Sequence, residues 1–88
     1  MQYRIFKRSL HKNWKTDWED TGDVIESERG RAAITKWIAK WIDECPKAYA
    51  PGKITYGENR CWMEVKNRNT DHLLDDGFFM MELAVRVA

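Results

Sequence analysis

Eighty-eight residues, 43% of them hydrophobic and 33% charged, with a net charge of +1, describe one ordinary globular domain too short for two independent cores. This composition excludes a disordered chain, and no apolar run approaches the roughly 20 residues needed to cross a bilayer. Residues 1–8 lack an apolar secretory core and no N-x-S/T sequon occurs, so the expected compartment is the cytoplasm, with Cys45 and Cys61 reduced.

In chain order, Tyr3 to Ser9 predicts a first strand with Tyr3, Ile5 and Lys7 on one side and Arg4, Phe6 and Arg8 on the other. Residues 10–22 are polar, with Trp14 and Trp18 embedded, and read as a loop or hairpin extension closed by Thr21-Gly22-Asp23. Val24 to Ser27 predicts a second strand. It passes directly into a helix from about Glu28 to Cys45, with Ser27 as its cap and Pro46 as its stop. Ile34, Trp37, Ile38, Trp41, Ile42 and Cys45 share the apolar face of that helix, with Trp41 at its centre, while Arg29, Lys36, Lys40 and Asp43 lie opposite.

A loop around Pro46 and Pro51-Gly52 leads to Lys53–Tyr56, the turn Gly57-Glu58-Asn59, and Arg60–Lys66, which together predict a hairpin. After a polar loop from Asn67 to Gly77, the last strand alternates Phe79, Met81, Leu83, Val85 and Val87 with Met80, Glu82, Ala84 and Arg86. The expected fold class is therefore α+β in the order β-β-α-β-β-β, an antiparallel or mixed sheet with one amphipathic helix packed on one face. One helix covers one face only. The other face would carry some of Phe6, Trp62, Phe78 and Met80 among charged neighbours, and an open apolar patch of this kind marks a contact surface.

Catalytic and metal chemistry find little footing. Cys45 and Cys61 are far apart in sequence, with only His11 and His72 to join them, whereas a metal site wants closely paired ligands. Asp71-His72-Leu73-Leu74-Asp75-Asp76 would offer a weak divalent-ion site if helical, but reads more simply as a turn closed by Gly77. A Cys61–His72 nucleophile pair has no oxyanion-forming loop beside it, and no glycine-rich phosphate loop occurs. The expectation is a non-enzymatic protein without cofactor or metal.

Charge is segregated along the chain. Residues 1–15 hold Arg4, Lys7, Arg8, Lys12 and Lys15 without an acid; residues 16–28 hold Asp17, Glu19, Asp20, Asp23, Glu26 and Glu28 without a base. Such neighbours can pair across a hairpin, and Glu26 and Glu28 suit the positive end of a helix dipole. Alternatively each block is a binding surface. Arg4, Phe6, Arg8 and Lys12 combine cations with aromatic surface, the mixture that grips phosphates and stacks bases.

The segment Asp23-Val24-Ile25-Glu26-Ser27, running into an Ala-containing helix, a hairpin and a closing Phe78-Phe79-Met80-Met81-Glu82-Leu83, resembles small phage-encoded anti-defence proteins. Several type I anti-CRISPR proteins are similar in size and in the strand that feeds the single helix. The resemblance implies inhibition by occupancy of a host defence complex, with the partner a host protein or ribonucleoprotein complex or a second copy of the chain, and no membrane. The acidic residues would then imitate phosphates, so Asp17, Trp18, Glu19, Asp20, Asp23 and Glu26, with Phe6 and Trp62 from the open face, form the expected partner-binding set. The alternative is a small RNA- or single-stranded-DNA-binding module built on Arg4, Phe6, Arg8 and Lys12.

Overall fold

The structure, a computed structural model, describes residues 1–12, 14–44, 49–67 and 78–88. Cys45, Pro46, His72 and the rest of the segment from Asp71 to Gly77 lie outside them. Among the described residues the chain forms β1 (Gln2–His11), β2 (Trp14–Lys15), β3 (Glu19–Glu26), α1 (Gly30–Glu44), β4 (Tyr49–Tyr56), β5 (Arg60–Asn67) and β6 (Phe78–Val87). Every strand pairing is antiparallel, so the sheet is not mixed. Across the sheet the order is β3-β1-β6-β5-β4, and β2 continues the β3 edge along the far end of β1.

This topology explains why α1 lies across the sheet. β3 and β4 occupy opposite edges, four strand spacings or roughly 19 Å apart. The 15 residues of α1 rise by about 22 Å, enough to make that crossing. The helix packs on β1, β3, β5 and β6. Its Ala33, Ile34, Trp37 and Ile38 are buried against Tyr3 and Ile5 of β1, Cys61, Met63 and Val65 of β5, and Met81, Leu83 and Val85 of β6. The odd-numbered residues of these strands thus build the core, as the period-two pattern predicts.

Several boundaries differ from the sequence expectation. β3 begins at Glu19, not Val24, because Thr21-Gly22-Asp23 forms a bulge within the strand in place of a turn before it. These three residues face the single residue Ile5, and Gly22 takes φ 81°, a left-handed conformation suited to glycine. The Thr21 hydroxyl donates to the Ile5 carbonyl at 2.8 Å and accepts from the Asp23 amide at 3.2 Å, standing in for ladder bonds that the bulge removes.

Helix α1 starts at Gly30, two residues beyond the expected Glu28. Ser27 is buried, and its amide donates to the Met1 carbonyl, extending the β1–β3 ladder, while the Arg29 carbonyl accepts the amide of Ala33. Gly30 is required by proximity: a Cβ there would stand 2.8 Å from Val85 Cγ2 and 2.6 Å from Asn59 Oδ1. Trp41 is half-buried at the margin of the core, and Ile42 is exposed, so the helix centres on Ile34 and Trp37. Pro51 and Gly52 fall inside β4, at a bulge in its pairing with β5. As an edge strand, β4 accommodates a proline that donates no hydrogen bond.

Candidate functional site

The face of the sheet opposite α1 carries the even-numbered residues of β1, β5 and β6. Strand register lines them up in rows: Phe6 beside Ala84 beside Arg60, then Arg8 beside Glu82 beside Trp62, with Arg4 beside Arg86 at one end. A single carboxylate anchors the arrangement. Glu82 is only 2% exposed although α1 lies on the other side of the sheet. Arg8 Nε donates to its Oε1 at 2.6 Å and Arg60 Nη1 donates to its Oε2 at 3.0 Å, so both oxygens are engaged. A carboxylate this enclosed persists only when paired, and charge-assisted bonds of this kind are short and strong.

Trp18 closes the cluster from above. The link between β2 and β3 brings its ring over both guanidinium groups, 4.6 Å from the Arg8 carbon and 5.4 Å from that of Arg60. Flat cations over an indole face are attracted by the ring quadrupole. The expected loop residue Trp18 and the expected strand residues Arg8 and Phe6 therefore meet on one surface.

Beside the cluster opens a cleft of about 500 Å³ whose lining includes Phe6, Trp18, Asp20, Arg60, Ala84 and Arg86. Ala84, between Phe6 and Arg60 in register, fills its position with no more than a methyl group, which leaves the space open. The Arg86 guanidinium lies 5.9 Å from the Phe6 ring centre, and among the described residues Arg86 has no ion pair. Asp20 stands at the rim. Its Oδ2 accepts from Arg4 Nη1 at 3.1 Å and its Oδ1 from the Gly22 amide at 2.9 Å. Four arginines, Arg4, Arg8, Arg60 and Arg86, thus face two carboxylates, Asp20 and Glu82, around two aromatic rings.

The acidic residues are dispersed. Asp23 is on the helix side, where its Oδ2 accepts the Trp37 indole N–H at 2.7 Å and its Oδ1 lies 3.4 Å from Lys40 Nζ. Glu26 Oε1 is 3.0 Å from the Met1 amino group. Glu19 faces Lys7 in the β1–β3 register, and Asp17 is exposed. Lys12 is exposed in the turn between β1 and β2, away from this register. Trp62 is half-buried with its ring against the β4–β5 turn, where a Cβ on Gly57 would lie 3.2 Å from it. Lys36 Nζ donates to the Glu26 carbonyl at 2.8 Å, so the lysines of the helix tie α1 to β3. A second hollow of about 300 Å³ on that side sets Lys7 and Lys40 among the carboxylates Glu19, Asp23 and Glu44, beside Trp37 and Trp41.

Sequence reasoning missed Asn59, Arg60, Glu82, Ala84 and Arg86 as members of the site. The signal was the alternation in β6, which assigns Glu82, Ala84 and Arg86 to the face opposite Leu83; only register could bring them beside Phe6 and Arg60. Among the described residues no group of three or more His, Cys, Asp and Glu side chains could hold a metal ion. Cys61 is fully buried, and removal from water pushes its thiol from 9.0 to about 11 against the opposing pull of Arg31, which suppresses nucleophilic thiolate. No helix is long and apolar enough to cross a membrane among the described residues. No protein-family model, curated protein or solved structure matches the chain.

Proposed function

We propose that this protein acts by binding, without catalysis, and that the open face of its sheet takes single-stranded nucleic acid. The observation that carries this reading is the excess of arginine over carboxylate around Trp18 and Phe6. Strand backbones demand cations and unstacked bases demand aromatic planes, and this face supplies both. The test is a fluorescence titration with a single-stranded oligonucleotide of about 12 nucleotides, long enough for a small binding groove. Affinity falls as salt is raised, with a log–log slope of about −1.5 to −2 for two or three neutralised phosphates. Trp18→Ala weakens it by about tenfold or more, the effect of losing one stacked base. A parent protein that shows no binding at low salt defeats the proposal.

A second reading has a specific observation behind it. Asp17, in the link before the edge strand β3, Glu19, its first residue, and Glu28, before α1, are exposed and have no ion pair among the described residues. An acidic margin of this kind suits the expected phage or mobile-element inhibitor, anti-CRISPR-like, that occupies a basic channel of a host defence complex in the cytoplasm. Reversal of Asp17 and Glu19 to Lys then abolishes capture of a ribonucleoprotein complex from bacterial lysate while leaving the melting temperature nearly unchanged. Undiminished capture by that variant rejects the acidic contact.

A further inference from the structure

We infer that the cleft beside Trp18 is a subsite for one nucleoside monophosphate unit, its phosphate held by Arg86 and its base laid against Trp18 over Ala84. This rests on the nucleic-acid reading above and assigns the unit recognised, free or as a link in a strand.

Three observations carry it. The cleft, about 500 Å³, lies within the size range of small-ligand sites and is bounded by two aromatic side chains, Phe6 and Trp18. The cations in the cleft, Arg60 and Arg86, and those beside it, Arg4 and Arg8, divide into committed and uncommitted, and the lining carboxylate Asp20 is itself taken up by Arg4. Arg4 is bound to Asp20, and Arg8 and Arg60 are bound to Glu82, which holds the latter two close to the Trp18 ring. Arg86 alone of these four lacks a carboxylate among the described residues, and its planar fork matches two oxygens of a phosphate. Finally, Ala84 is a poor strand residue at a position where Phe6 and Arg60 flank it, and a larger side chain would pack there to the benefit of the sheet. The methyl group forgoes that packing and leaves room for a ligand.

The experiment titrates the parent, Ala84→Leu and Arg86→Gln with adenosine monophosphate, adenosine, inorganic phosphate and a single-stranded oligonucleotide, following tryptophan fluorescence. Circular dichroism confirms folding, and Ala84→Val replaces Ala84→Leu if the latter does not fold. The parent binds the monophosphate at least about tenfold more tightly than adenosine or phosphate alone, because a charge-assisted contact and a stack act together. Ala84→Leu abolishes saturable binding of the monophosphate. Arg86→Gln weakens the monophosphate about tenfold or more and leaves adenosine unchanged. If both variants bind monophosphate and oligonucleotide as the parent does, the subsite is wrong while the nucleic-acid reading stands. If the monophosphate binds and is lost in the variants but no oligonucleotide binds the parent, the subsite stands and the strand reading falls. Absence of all binding by the parent overturns both.

Discussion

Trp37 meets two requirements with one side chain. Its ring fills the centre of the core, 5% exposed, and its indole N–H reaches Asp23 across the helix–strand gap. Trp37→Ala is expected to cost about 3–5 kcal/mol, a large fraction of a small domain's stability, whereas Trp37→Phe keeps most of the apolar burial and costs about 1–2 kcal/mol for the lost bond. Urea denaturation orders the three proteins, and half-buried Trp41→Ala falls between the parent and Trp37→Ala; equal effects at the two positions contradict this placement of the core. Helical spacing puts Trp37 and Trp41 on one face, but periodicity specifies direction and not depth, so which of them is central was not legible in the sequence. Cys61 yields a pH effect. Because its thiol is raised in the folded state, the associated stability is full below pH 9.0 and is lost as pH climbs through about 11. The parent should therefore lose more stability than Cys61→Ala over that window, measured as the difference between the two in chemical denaturation. Equal slopes reject the buried thiol as the cause.

Among the elements, the face of α1 and the strand β6 follow from period, whereas β5 follows from a β-prone run after the turn Gly57-Glu58-Asn59. β3 was truncated in the sequence reading because Thr, Gly and Asp in succession are turn chemistry, and only the partner strand distinguishes a turn from a bulge. The two glycines beside this element make different demands. At Gly22 open space surrounds the would-be Cβ, so Gly22→Ala meets backbone strain alone, about 1–2 kcal/mol. At Gly30 the obstacles are the Asn59 amide oxygen and the Val85 side chain, and Gly30→Ala is expected to cost about 1–3 kcal/mol as both give way. The double variant Gly30→Ala with Val85→Ala isolates the Val85 share: partial relief of the clash makes the pair less destabilising than the sum of the singles, and strict additivity in thermal unfolding denies the Val85 contact.

At the scale of the whole molecule, the opposed charge blocks resolve into the two strands of one edge. Arg4 meets Asp20, Lys7 faces Glu19, and the Met1 amino group meets Glu26. Exposed pairs such as Arg4–Asp20 and Met1–Glu26 contribute little to stability. The other two arginines of the site, Arg60 and Arg86, come from β5 and β6, where no charge run announces them. Half of the candidate site was accordingly visible, as Arg4, Phe6, Arg8 and Trp18, and the other half depended on long-range register. Glu82 has a further consequence for motion. One carboxylate on β6 grips an arginine of β1 on one side and an arginine of β5 on the other, so neither neighbour can peel away without leaving a charge stranded. The amides of β1, β5 and β6 should therefore exchange their protons for deuterium as one cooperative unit, while the edge strand β4 exchanges sooner. In Glu82→Gln, β1 and β5 become free to open at separate rates.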